Sequence, residues 1–103
     1  MKYFISRQHY CTGVQMVEIA EGGIDYSNPD MLVEKYPGEG TEYDNPAIAV
    51  EKAIEIHKAW LKDQPDEDIQ IGQVSTGGWT CEAEESNYRS LRTWAKNINH
   101  GNR

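Results

Sequence analysis

Hydrophobic and polar positions alternate at two different periods along the chain, and the change of period marks the elements. Residues Lys2 to Tyr10 are rich in aromatic and β-favouring side chains, and Val14 to Glu21 continues in the same way through Met16, Val17 and Ile19. Both stretches are predicted to be strands. Cys11-Thr12-Gly13 lies between them, and its glycine suits the left-handed position of a three-residue hairpin loop. After the turn-rich segment Gly22 to Asp30, Met31 to Tyr36 is predicted to form a third strand, ended by Pro37-Gly38.

A helical period takes over at Asp44-Asn45-Pro46, where a capping side chain precedes a proline suited to the first helical position. Val50, Ala53, Ile54, His57 and Leu61 form one stripe, widened by Ala49, Ile56 and Trp60, while Glu51, Glu55, Lys58 and Lys62 lie opposite. This helix should stop near Asp63, ahead of Pro65. Asp68 to Thr76 is predicted to be a strand whose parity slips. Ile69 and Ile71 face one way, and a bulge at Gly72-Gln73 would return Val74 to the same side. A last helix over 84–99 carries a stripe of Tyr88, Leu91, Trp94, Ala95 and Ile98, with Gly101 just beyond its end. The expectation is therefore an α+β domain. Three or four strands form a mostly antiparallel sheet with two helices packed on one face, in the order β-β-(β)-α-β-α. The segment Asp44 to Ala53, with the layout of strands leading through a loop into an alanine-containing helix, is similar to HicB-type antitoxins and other small α+β domains. That likeness is one of layout and transfers no residues.

With 103 residues, of which 38% are hydrophobic, one modest core and a single domain over 1–103 are expected. No apolar run is long enough to cross a bilayer, and the start MKYFISRQHY lacks the apolar segment of a secretory signal, so a cytoplasmic location is expected. Cys11 and Cys81 are then free thiols by default. The formal charge of −7 opposes nucleic-acid backbones and anionic membranes, and it suits a basic protein partner.

Residues that could carry chemistry are densest in Ser75-Thr76-Gly77-Gly78-Trp79-Thr80-Cys81. Ser75, Thr76, Gly77, Gly78 and Cys81 compose a candidate ligand-binding or enzymatic loop. However, it lacks the lysine and glycine spacing of a phosphate loop and the third glycine of a dinucleotide fingerprint. The favoured reading is a structural exit from the fourth strand. Cys81 has no local histidine to make it a nucleophile. His9, Cys11 and Cys81 offer three zinc ligands but no fourth, and the acidic run from Asp63 to Asp68 lacks EF-hand spacing. No metal and no cofactor are expected, and catalysis is disfavoured. His57, on the apolar stripe, is expected to be a core-edge ring with one hydrogen-bond partner.

The tyrosines give the more coherent functional expectation. Large apolar area with a polar edge makes tyrosine an effective contact residue, and several tyrosines fall in strands or loops beside acidic runs. A small protein-interaction module is expected. It would contact a basic partner, or a second copy of itself, through Tyr10, Tyr36 and Tyr43 with Glu42 and Asp44 on the rim. A phage-type inhibitor that mimics nucleic-acid charge is the alternative within the same class.

Overall fold

A computed structural model describes residues 1–9, 13–32, 34–74 and 85–99. Strand β1 (Tyr3–His9) pairs antiparallel with β2 (Gln15–Glu21), in a register running from Tyr3 opposite Glu21 to His9 opposite Gln15. A two-residue strand β3 (Glu42–Tyr43) pairs antiparallel with the start of β1. Helix α1 (Pro46–Asp63) then crosses the sheet, and β4 (Ile69–Gln73) pairs parallel with β2. Helix α2 (Glu85–Asn99) completes the order, and the strands lie β3-β1-β2-β4 across the sheet. This is the expected α+β arrangement.

The pleat decides what is buried. Side chains alternate between sheet faces, so Tyr3, Ile5, Val17, Ile19, Ile69 and Ile71 share one face and all are buried. Helix α1 covers that face with Ala49, Val50, Ala53, Ile54, Ile56 and Trp60, the stripe expected from its period. Helix α2 lies on the same side: Tyr88, Leu91 and Ala95 join the core, and Trp94 meets the ring of Tyr3 edge-on at 5.9 Å. Each fully buried isoleucine contributes about 1.5–3 kcal/mol relative to exposure. The start of α1 follows its sequence signals, because Asn45 Oδ1 accepts the Ala47 N–H at 2.9 Å and Pro46 occupies the first turn.

Two local expectations are corrected. Among the described residues, the segment from Met31 to Tyr36 forms no strand. Its beginning belongs to a short 3-10 helix (Pro29–Leu32), started by the proline and by a turn in which Met31 N–H reaches Asn28 O at 3.1 Å. The third strand is β3 instead. No bulge interrupts β4 either, since its register with β2 runs unbroken to Ile19 opposite Gln73. Gln73 itself takes the inward position, with its amide donating to Glu21 Oε1 at 3.2 Å, and Val74 is left 45% exposed. A hydrogen-bonded amide can occupy a buried position without a penalty that would force the backbone to bulge.

Candidate functional site

The first feature of the site is a strand edge. Gly22 N–H donates to Lys2 O at 2.6 Å, so the main-chain groups of Lys2 address β2. Because these groups alternate along a strand, those of Phe4, Ser6 and Gln8 also address β2, and those of Arg7 and His9 address the opposite side. On that side, among the described residues, the pairing with β3 covers only Tyr3 and Phe4. Beyond them β1 borders a groove of about 430 Å³, lined by every residue from Phe4 to His9 and, across from them, by Asn28, Met31 and Glu39. Six consecutive residues cannot line a cavity on one sheet face, since the pleat sends alternate side chains to opposite faces. The groove therefore runs along the edge itself.

The second feature is an arginine held rigidly beside that edge. Tyr36-Pro37-Gly38-Glu39 forms a turn closed by Glu39 N–H to Tyr36 O at 3.2 Å, with Gly38 at φ +104°. A side chain at Gly38 would also bring its Cβ to 2.8 Å from the Tyr43 hydroxyl, which donates to Gly38 O. The turn sends the buried Glu39 carboxylate back to the Tyr36 N–H at 3.0 Å and onto Arg7, whose Nε donates to Oε1 at 2.8 Å and to Oε2 at 2.7 Å. Arg7 lies on the inward side of β1, past the end of the apolar core. Its guanidinium carbon is 5.5 Å from the ring centres of both Tyr36 and Trp60. Tyr36 is anchored in turn, donating from its hydroxyl to Asp63 Oδ2 at 2.6 Å. Burial, followed by that carboxylate, pushes its hydroxyl up to about 12, so it remains a donor throughout the physiological range. His9 closes the row, with its ring 5.5 Å from Trp60.

The residues expected to form a tyrosine contact surface are thus distributed differently. Tyr36 is buried under Arg7, and Tyr43 is half-buried. Glu42 turns to the other sheet face and accepts the Ile24 N–H at 2.9 Å, while exposed Asp44 pairs with Lys2 at 2.8 Å. That ion pair holds the Asp44 carboxyl below its usual range, led by the hydrogen bond from Lys2. Glu42, Tyr43 and Asp44 therefore gather at the paired end of β1, and the groove occupies the unpaired end. Tyr10 and the loop residues Ser75, Thr76, Gly77, Gly78 and Cys81 lie outside the described residues, as does Cys11. Among the described residues no group of three or more histidine, cysteine or acidic side chains is arranged to hold a metal.

Arg7 and Glu39 were not singled out by the sequence reading. A signal for Arg7 was present, because it is the charged member of the otherwise inward series Tyr3, Ile5, Arg7. A charge on a buried parity calls for a partner. Nothing local to the sequence identifies that partner as Glu39, which is 32 residues away.

Elsewhere, His57 is fully buried and has two partners rather than one. Its Nε2 must donate to Ile69 O at 2.6 Å, so Nδ1 accepts from the Tyr88 hydroxyl at 2.8 Å. Desolvation lowers its proton affinity, and the ring serves as a neutral link between α1, β4 and α2. Among the described residues no helix is long and apolar enough to cross a membrane. Comparison of the chain with family models, with characterised proteins and with solved structures finds no match.

Proposed function

We propose that this chain is a small cytoplasmic protein-interaction module that takes up an extended strand of a partner protein along the free edge of β1. The observation that carries this reading is the groove running beside Phe4 to His9, where β1 continues past its pairing with β3. A strand edge with outward N–H and C=O groups is a template for main-chain pairing, and side-chain pockets along it supply selectivity. The groove has a second wall at Asn28, Met31 and Glu39, which suits a single inserted strand. The net charge of −7 favours encounter with a partner whose surface is on balance basic.

The test uses the direction of one amide. The N–H of His9 addresses the groove, so His9→Pro removes a donor for an incoming strand without breaking the β1–β2 ladder. His9→Ala removes the ring contact with Trp60 but keeps the amide. Random heptapeptides displayed on phage are selected against the wild-type protein, and the winners are measured on both variants by fluorescence anisotropy. Weakening by His9→Pro well beyond that by His9→Ala supports strand addition. Equal binding to the two variants, or failure to select any peptide, refutes it.

A further inference from the structure

The same edge shows which side-chain chemistry the incoming strand should carry. A guanidinium has five N–H donors, and Glu39 engages only the one on Nε. Among the described residues no acceptor takes a hydrogen bond from Nη1 or Nη2 of Arg7, and neither atom is buried without a partner. The side chain is 16% exposed, its Nη atoms keep contact with solvent, and Arg7 lines the groove, so a group entering the groove comes within reach of the Nη pair. The group is also pre-organised. Its face is flanked by Tyr36 and Trp60, its Nε is held by both oxygens of a buried carboxylate, and that carboxylate is fixed by the Tyr36 N–H. An arginine already ordered by its neighbours loses little further side-chain freedom on binding, and its parallel Nη N–H bonds match the two oxygens of a carboxylate.

Resting on the strand-addition reading above, we propose that the strand bound along β1 presents one carboxylate, from an aspartate, a glutamate or a chain terminus, to the Nη pair of Arg7. The site takes no more than one carboxylate. Arg7 is the cation lining this groove and Glu39 already balances its charge, while the chain as a whole is strongly acidic. A uniformly acidic strand would be repelled, so the recognised carboxylate is flanked by neutral or basic residues. The other face of the incoming strand meets Phe4, Ser6 and Gln8, which ask for no charge.

Peptides selected from the random heptapeptide library are synthesised in matched pairs, with each acidic residue replaced by its amide and the C-terminus free or amidated. Binding is followed by anisotropy and by chemical-shift changes of the β1 amides in 15N-labelled protein. The expected result is one register position at which the carboxylate-to-amide change weakens binding about tenfold or more, as the loss of a charge-assisted bidentate contact does. Arg7→Gln should abolish that preference. The peptide pairs keep the test valid even if Arg7→Gln unfolds, because they leave the protein unchanged. Peptides that shift the β1 amides yet tolerate every carboxylate-to-amide change overturn the carboxylate assignment and leave strand addition standing. If the selected peptides leave the β1 amides unshifted, the strand-addition reading fails, and the carboxylate assignment fails with it.

Discussion

Replacing Glu39 by alanine removes the partner of a cation that the fold has drawn out of water. Glu39 is only 4% exposed, Arg7 Nε has no other acceptor among the described residues, and the Tyr36 N–H loses its acceptor at the same time. Breaking a fully buried ion pair by removing one member costs about 3–5 kcal/mol. The Arg7 side chain retains 16% exposure, which lets water reach its Nη end and places the expected cost nearer 2–3 kcal/mol. For a domain of this size that corresponds to a fall in Tm of about 10–20 °C. Arg7→Met should cost a comparable amount, because it leaves the Glu39 carboxylate buried without its cation. The double variant leaves neither charge behind, so it should be less destabilised than the sum of the singles by about 2 kcal/mol. Urea unfolding followed by tryptophan fluorescence measures all four proteins, with buried Trp60 beside Arg7 as a reporter, and an unchanged denaturant slope confirms a two-state comparison. If the two single effects add to within about 0.5 kcal/mol, Glu39 does not hold Arg7, and the pre-organised guanidinium has no foundation.

Two further outcomes concern His57 and the turn at Gly38. His57 has a lowered proton affinity in the folded state, so the unfolded chain binds the proton first. Stability should therefore decline as pH falls below about 6.5, the ordinary histidine value, and go on declining toward the folded-state value. Urea midpoints between pH 7.5 and 5 should show this dependence, and His57→Gln should remove most of it; an unchanged slope in the variant would mean that another group is responsible. Gly38→Ala should cost about 1–3 kcal/mol, because alanine resists φ +104° and its Cβ meets the Tyr43 hydroxyl. Thermal melts check the loss, and a neutral result would mean that the turn carrying Glu39 relaxes freely.

Strands β1 and β2, both helices and the fold class were legible because each depends on a local period. The stripe Val50, Ala53, Ile54, His57 is helical wherever it is placed, and Asn45-Pro46 marks its start whatever it packs against. The Met31–Tyr36 segment misled because its apolar residues suggest a strand when read alone, whereas Pro29 starts a short helix and Glu39 and Asp63 hold Tyr36. At Gly72-Gln73 the rule that polar residues point outward failed, because Glu21 on a neighbouring strand accepts from the Gln73 side chain. The second misreading turns on a partner distant in sequence, whereas the first was overruled mainly by local turn chemistry at Asn28-Pro29.

The candidate site illustrates the same division. From the chain alone came the strand β1, the Pro37-Gly38 turn and the acidic balance of the whole, and the charge of Arg7 on an inward parity was there to be read though it was passed over, since backbone preference, pleat and charge are properties of residues and their near neighbours. Tertiary structure alone decided that β3 stops after two residues, that Glu39 is the carboxylate reaching Arg7, and that Tyr36 and Trp60 flank the guanidinium. Those outcomes depend on how far one strand runs beside another and on which side chains three separate elements bring to within about 6 Å. A contact between residues 32 positions apart leaves no periodic trace, because it is selected by the packing of the whole domain rather than by either residue's surroundings in the chain.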